Sequence, residues 1–267
     1  MNIFGNSFAM QYQKVFHQKK AGLLPLVGII IFTLFPSESH AQIGRYVPQV
    51  IVSQAATWKS NKASMQCYQR PSAGVPWQAV FEKPVPVLLG RKGLAWGRGV
   101  FNPPQNGIPA KVEKDWRAPA GVFQLGSLFG YAATPPGGAG WPYVQVGPWD
   151  AYVDDSSLPQ YYNRHVRIDP SQGIPPWFEK QKMRLGDAAY KWMLEIRHNQ
   201  QPAAPGYGSA IFFHVRRGPD KPSAGCTTMA EGDLTRLLRW LDPAASPHYV
   251  LLPKADYAAL RGTWGLP

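Results

Sequence analysis

The sequence predicts a mainly β domain, a mixed sheet or sandwich with a few α-helices at its periphery. Its 267 residues include 26 glycines and 27 prolines, which interrupt regular structure along the whole chain. Between these breaks stand short runs rich in β-branched and aromatic residues, whereas patterns of helical period are few. Because 13% of the residues are aromatic and apolar content is ordinary, composition argues against a disordered chain.

The first 41 residues have the pattern of a secretory signal peptide. Three lysines precede an apolar run, residues 21–35, which is short for a membrane span. Small residues in Ser39-His40-Ala41 then suit a signal peptidase, so we expect cleavage before Gln42, export to the periplasm and no stable membrane insertion afterwards. An uncleaved anchor is the alternative, since Pro25 interrupts the apolar run. Residues 42–267 are expected to form a single domain.

The charge balance points to an acidic partner. The chain carries 28 Lys and Arg against 16 Asp and Glu, and residues 1–41 account for three lysines and one glutamate. An exported protein this basic suits peptidoglycan, with its free stem carboxylates, or anionic lipid headgroups. A generally solvated basic face is the plain alternative. Nucleic acid is a poor candidate outside the cytoplasm.

Strand-like runs follow one another along the predicted mature chain. The run at residues 85–89 contains prolines, which suit an edge strand, and the Gly/Pro-rich residues 134–140 are predicted to form a lid. The strand candidates are residues 49–52, 63–68, 77–81, 85–89, 122–125, 141–146, 191–198 and 248–252.

Three helices are predicted, at residues 177–190, 228–241 and 254–260. In the second, four leucines between residues 234 and 241 stand at i, i+3, i+4 and i+7, which defines one apolar face. Thr228 and Glu231 have the spacing of a capping box, which places the start of this helix at Thr228.

Cys226 stands two residues before that predicted helix start. The positive end of a helix favours a thiolate over a thiol, which predicts a lowered thiol pKa. Amides around Cys226 and Thr227 could then face a developing oxyanion, and Gly225 leaves room for a substrate. These features predict a cysteine nucleophile.

His214 is the predicted base for this nucleophile. It leaves an apolar strand, residues 211–213, and a turn-rich segment, residues 216–225, can return the chain so that Cys226 lies beside it. Two alternatives stay open. Cys226 could pack as a small hydrophobe, or it could pair with Cys67 in a disulfide of an exported protein.

The segment from His214 to Cys226 resembles the catalytic domain of the L,D-transpeptidase (YkuD-type) family. That family's pattern is a histidine, a spacer and Ser/Thr-His-Gly-Cys, followed two positions on by Arg or Asn. Here the spacer is shorter, Ala224 replaces the second histidine, and Thr228 replaces the Arg or Asn. The likeness covers roughly residues 85–253. RAPAGVFQLG (117–126), VDDSSLPQYYNR (153–164) and HVRRGP (214–219) are similar to a divergent proteobacterial branch.

The resemblance implies a fold, an activity and a set of site residues. It implies a peptidoglycan L,D-transpeptidase that forms a Cys226 thioester at meso-diaminopimelate, with His214 as general base and Ser223, Gly225 and Thr227 supporting the site. It also implies no cofactor and inactivation by carbapenems. The acceptor is either a second diaminopimelate or, unusually, the L-alanine amine of a stem.

Six further residues are candidate substrate contacts, and all of them except Arg217 have a plainer alternative. Arg217 shares the HVRRGP segment. Asp155 could bind a substrate amine or cap a turn, and Arg98 could bind a carboxylate or lie in a surface turn. Tyr162 and Asn163 could recognise the diaminopimelate head group or form a structural corner. His198 could orient His214, contact substrate or be an ordinary buried polar residue.

Other functions remain open at this point. The same Cys–His pair would serve a cysteine peptidase that trims stems or releases proteins bound to diaminopimelate. A non-catalytic wall-binding protein and a disulfide-stabilised envelope tether are further alternatives. A metal site is not expected, because the sequence has no HExxH or CxxC spacing.

Overall fold

In this computed structural model, Ile43 and residues 47–267 are described. The predicted signal peptide and its cleavage site before Gln42 lie outside them. The described residues belong to one structural unit. None of their helices is long and apolar enough to cross a membrane.

Eight strands form a closed mixed sheet. In spatial order they are β1, β13, β6, β10, β11, β12, β4 and β2, and β2 pairs with β1 to close the ring. β1 runs parallel to β13 and β11 parallel to β12, and the remaining pairs are antiparallel. The ring strands are β1 (Gln49–Ala55), β2 (Lys62–Gln69), β4 (Val85–Leu88), β6 (Ala118–Gly130), β10 (Trp192–Ile196), β11 (Phe212–Val215), β12 (Thr227–Met229) and β13 (His248–Pro253).

Among the described residues, five further strands lie outside this ring. β3 pairs with β2, β5 and β7 pair with β6, and β8 and β9 form a separate antiparallel pair. They are β3 (Gln78–Ala79), β5 (Leu94–Trp96), β7 (Tyr143–Gln145), β8 (Asp150–Val153) and β9 (Arg164–Arg167). The predicted mainly β fold with peripheral helices is therefore confirmed.

The long strand β6 carries apolar residues on both faces and so separates two clusters. The larger cluster contains Leu128, Leu194 and Phe213, and a smaller one contains Phe129 and its neighbours on β10 and β11. Alternation along each strand sends adjacent residues to opposite faces. The half-buried Cys226 packs against the smaller cluster.

In the part of the chain that the structure describes, three α-helices lie outside the sheet: α1 (Phe178–Gln181), α2 (Glu231–Trp240) and α3 (Lys254–Trp264). α2 buries Leu234, Leu237 and Leu238, as their spacing predicts. α3 extends four residues beyond the predicted range of 254–260.

Two of the helix predictions need correction. Residues 177–190 form only α1 and a 3-10 turn at Ala188–Tyr190, because Gly186 adopts a φ of 70° and Asp187 caps the new turn. α2 begins at Glu231 and not at Thr228. Thr228 pairs instead with His214 and Leu88 in β12, so the sheet outweighs the local capping box.

Two smaller predictions also fail. β4 is not an edge strand, since it lies between β12 and β2, and Pro86 points to solvent there. The predicted lid at residues 134–140 packs on α2 instead, where Arg239 Nε donates a hydrogen bond of 3.0 Å to the Gly137 carbonyl. It does not line the cleft above Cys226.

Candidate active site

The parallel pairing of β11 and β12 brings His214 and Cys226 together. His214 stands opposite Thr228, and Phe213 stands opposite Thr227. Side chains two residues apart share a face, so Cys226 lies diagonally across from His214 on the face that Phe212 also occupies. The two residues are twelve positions apart in sequence and become neighbours through this one register.

A tight turn fixes the backbone before Cys226. Ser223 Oγ donates a hydrogen bond of 2.6 Å to the Cys226 carbonyl and accepts one of 3.0 Å from the Gly225 amide. A Cβ atom on residue 225 would lie 3.0 Å from the Arg117 carbonyl oxygen, which explains the glycine. The buried Thr227 hydroxyl lies 2.9 Å from the hydroxyl of Tyr249. These three residues support the site structurally, and the Gly225 amide is already occupied.

The thiol of Cys226 is protonated at rest. Burial raises its pKa to about 11, although the nearby positive charges of Lys111 and Arg217 lower it in part. The thiol donates to the Ala210 carbonyl at 3.6 Å. The prediction that a helix end lowers the thiol pKa is therefore wrong, because β12 separates Cys226 from the first turn of α2.

His214 is held as a neutral base. Its Nδ1 lies 2.9 Å from the Val215 carbonyl, which can only accept, so Nδ1 carries the proton and the lone pair is on Nε2. Burial lowers the pKa of His214 to about 4. The ring of Tyr190 lies 5.0 Å from the imidazole. The pair is therefore a neutral imidazole and a neutral thiol at pH 7.

A cleft of about 180 Å³ opens above the thiol. Aromatic and methionine side chains form its walls, and Asp154, Lys180 and Lys182 add charges to its lining. Lys182 is paired with Glu179 at 2.7 Å. The lining residues are Tyr152, Asp154, Lys180, Gln181, Lys182, Met183, Leu185, Tyr190, Met193, Ala210, Phe212 and Cys226.

An ion pair joins Asp187, in the segment over the cleft, to Arg217, two residues beyond the strand that carries His214. Asp187 accepts from Arg217 Nε at 2.9 Å, and its other oxygen caps the turn at Ala189 with a bond of 2.8 Å. The Arg217 guanidinium also lies 4.8 Å from the centre of the Tyr190 ring. Arg217 therefore stands beside the cleft with its charge already paired.

Comparison with known families identifies the domain. Residues 73–250, about two thirds of the chain, match the family model described as the L,D-transpeptidase catalytic domain. The chain belongs to this family. The match includes both Cys226 and His214, and it confirms the family predicted from the motif. Comparison with curated proteins and with solved structures gave no significant match.

Within this L,D-transpeptidase domain, Tyr162 and Asn163 form a structural corner. Both are buried, and Tyr162 donates its hydroxyl proton to Glu113. Asn163 Nδ2 donates to the carbonyls of His198 and Asn199, each at 2.8 Å. Asn163 Oδ1 accepts from the Ala210 amide at 3.0 Å. The expectation that Tyr162 or Asn163 contacts the substrate is therefore wrong, because neither side chain lines the cleft.

His198 is also structural. It is only 1% exposed, its Nδ1 accepts from the Arg98 amide at 3.1 Å, and its Nε2 donates to the Tyr207 carbonyl at 2.9 Å. Burial lowers its pKa to about 3. Both ring nitrogens have partners other than His214, so the expectation that His198 orients His214 or contacts substrate is corrected.

Asp155 and Arg98 lie away from the thiol. Asp155 caps a turn by accepting from the amide and hydroxyl of Ser157, at 2.9 and 2.7 Å. The neighbouring carboxylate, Asp154, lines the cleft instead. Arg98 lines a different cavity.

Two features of the site are not predicted from the sequence. One is the irregular segment over the cleft, residues 180–190, and the other is the buried positive charge of Lys111. Lys111, only 4% exposed in its side chain, pairs with Asp115 at 2.7 Å and acts on the Cys226 thiol through its positive charge. No local pattern marks this lysine. The KVEKD segment does hold Lys111 and Asp115 at i and i+4, a spacing usually assigned to a surface pair.

The described residues contain no cluster of three or more potential metal ligands. The two cysteines are not bridged. Cys67 is buried in β2, where burial raises its thiol pKa, and Cys226 faces the cleft. The disulfide alternative receives no support from this arrangement.

Proposed function

We propose that this chain is an exported, periplasmic L,D-transpeptidase that cross-links peptidoglycan stems through a thioester on Cys226. The observation that carries the proposal is the diagonal placement of His214 and Cys226 on one face of β11 and β12. Cys226 lines the cleft, and His214 packs behind the cleft residue Tyr190. Family membership supplies the reaction class.

In the first half-reaction, His214 Nε2 takes the thiol proton as the sulfur attacks a peptide carbonyl of the donor stem. The attacked carbonyl follows the L-centre of meso-diaminopimelate. The C–N bond then breaks, the departing nitrogen takes the proton from the imidazolium, and the terminal D-amino acid leaves. The Val215 carbonyl keeps the proton on Nδ1 throughout, so Nε2 exchanges protons with the reacting groups.

The Cys226 amide is the proposed oxyanion donor. Among the described residues it has no backbone or side-chain acceptor, whereas the Gly225 amide is bonded to Ser223. An amide held by the tight turn would face the negative charge that develops on the carbonyl oxygen, at no cost of reorganisation.

In the second half-reaction, an amine from another stem attacks the thioester. His214 takes a proton from the attacking amine, the C–S bond breaks, and the thiol recovers its proton. Water in place of the amine would give the peptidase of the same family. A carbapenem would acylate the same thiol.

The charges in the cleft lining suit a zwitterionic substrate end. The exposed Asp154 carboxylate suits the ammonium group of diaminopimelate, and Lys180 suits its carboxylate. Met193 and Phe212 offer apolar walls for the methylene chain between them.

The test is incubation of the purified protein with disaccharide-tetrapeptides, beside Cys226→Ala, with products identified by mass spectrometry. We expect cross-linked dimers from the wild type alone, and fragmentation will show whether the acceptor amine belongs to diaminopimelate or to L-alanine. Shortened monomers without dimers would establish the peptidase instead. Unchanged substrate in both samples would overturn the proposal in favour of a wall-binding protein.

A further inference from the structure

A second cavity, lined by Arg98, lies apart from the thiol. Its volume is about 570 Å³, roughly three times that of the cleft above Cys226. Neither Cys226 nor His214 is among its described lining residues. Gln124, Asn102 and Gln201 supply amide groups, and Val100 and Phe101 supply apolar surface. This mixture suits a peptide better than a purely apolar ligand.

The cavity has a positive lining. Arg98 and Arg197 both line it, and no Asp or Glu does so among the described residues. Neither arginine forms an ion pair within the described part of the chain. The Arg98 guanidinium lies 5.1 Å from the centre of the Tyr207 ring, which leaves its N–H edges available. Two unpaired guanidinium groups in one concave site favour a carboxylate.

The backbone around these arginines is fixed by buried groups. The Arg98 amide donates to His198 Nδ1 at 3.1 Å, and its carbonyl accepts from the Asn199 amide at 2.8 Å. The Arg197 amide donates to the Gln124 carbonyl at 2.9 Å. Both arginines therefore project from neighbouring segments of set geometry, which lowers the ordering cost of binding.

One hydrogen-bonded side chain connects this cavity with the cleft above Cys226. Gln200 lines the cavity, and its Nε2 donates to the Tyr152 hydroxyl at 2.8 Å and to Glu195 Oε1 at 2.7 Å. Tyr152 lines the cleft. The two sites are thus connected through one set of hydrogen bonds, and a ligand in the cavity leaves the cleft free.

We propose that the Arg98/Arg197 cavity binds the free carboxylate of a second peptidoglycan stem. The proposal rests on the proposed function, because it takes the stem as the ligand. Holding a neighbouring strand on the same domain would raise the local concentration of acceptor amines without adding contacts at the reacting atoms. Arg98 and Arg197 pair with the carboxylate, and the amide side chains bond the peptide groups.

The test uses the Cys226→Ala protein, so that no turnover occurs, and measures binding by calorimetry and by backbone amide NMR shifts. The probes are a disaccharide-tetrapeptide and the same compound with its carboxylates amidated. Arg98→Gln and Arg197→Gln remove one charge each from the cavity. Arg261→Gln removes one exposed charge from α3 and serves as the matched control.

We expect the tetrapeptide to shift the amides of Gly99 and Gln124, and each cavity variant to weaken that binding about fivefold, because both arginines are exposed. Arg261→Gln should change it less than about twofold, and the amidated probe should bind weakly. Equal affinities for the cavity and control variants would overturn the proposal. So would shifts confined to Tyr190 and Met193 in the cleft.

Failure of this proposal and failure of the proposed function are distinguishable. Cross-linking by an enzyme whose cavity shows no shifts would sink the second-stem site and leave the function standing. Charge-dependent shifts at Gly99 in a protein whose Cys226 forms no product would leave the cavity standing and remove the function.

Discussion

Replacement of His214 by glutamine is expected to slow acylation of Cys226 by about 10³-fold, in the range typical of a lost general base. The thiol pKa of about 11 means that roughly one molecule in 10⁴ carries a thiolate at pH 7, so the sulfur depends on proton removal during attack. The measurement is the rate at which a donor stem acylates the protein, followed by intact mass. Unchanged thermal unfolding would show that the variant is folded.

The pH profile supplies the control for this variant. Because burial lowers the pKa of His214 to about 4, the base stays neutral at pH 5 and is lost only as the pH falls through about 4. Acylation by the wild type should therefore decline about tenfold per pH unit below that point, and the His214→Gln variant should lack this acid limb. An equal rate and an equal profile in both proteins would remove His214 from the mechanism.

Replacement of Asn163 by alanine is expected to lower the free energy of unfolding by at least about 3 kcal/mol. The side chain is only 2% exposed and its loss leaves three backbone groups, two carbonyls and one amide, without their partner. Asn163 also adopts a φ of 57°, which asparagine tolerates better than alanine. Urea unfolding measures the change.

Asn102→Ala is the matched control for this prediction. Asn102 is exposed and has no side-chain hydrogen bond among the described residues, so its replacement should change stability by less than about 0.5 kcal/mol. Asn163 also accepts a hydrogen bond from the amide of Ala210, and the carbonyl of Ala210 accepts one from the Cys226 thiol. The Asn163→Ala variant should therefore also show faster alkylation of this thiol. Equal stability of the two variants would show that the corner around Asn163 is unimportant.

The fold class and the buried face of α2 could be predicted from the sequence, because local residue patterns determine both. The short strand-like runs with frequent Gly and Pro predict the β fold, and the four leucines of α2 predict its buried face. The strand before His214 and the turn before Cys226 also predict that the two residues come together. Their register supplies this proximity, and it depends on a single parallel pair of strands.

The remaining features depend on long-range packing, which a local pattern does not contain. Thr228 and Glu231 have the spacing of a cap, yet pairing of Thr228 with His214 and Leu88 extends the strand. The pKa of the Cys226 thiol is raised and not lowered, because this strand keeps the thiol away from the helix end and packing buries it. The residues that roof the cleft come from a segment that looks helical in sequence and is largely irregular in the structure.

Burial also separates structural from accessible polar residues. Tyr162, Asn163 and His198 have the chemistry of a binding site, but tertiary contacts use all of their polar side-chain groups. Arg98 and Asp154, by contrast, line a cavity and the cleft respectively. A sequence does not show which polar residue is enclosed.

The most direct test of the central claim is the mass of the protein after brief exposure to a disaccharide-tetrapeptide donor. We expect the wild type to gain the donor less its terminal D-amino acid and Cys226→Ala to gain nothing. Peptide mapping should place the adduct on Cys226 and not on the buried Cys67. An adduct of equal yield in the variant, or one located elsewhere in the chain, would contradict the assignment of Cys226 as the nucleophile.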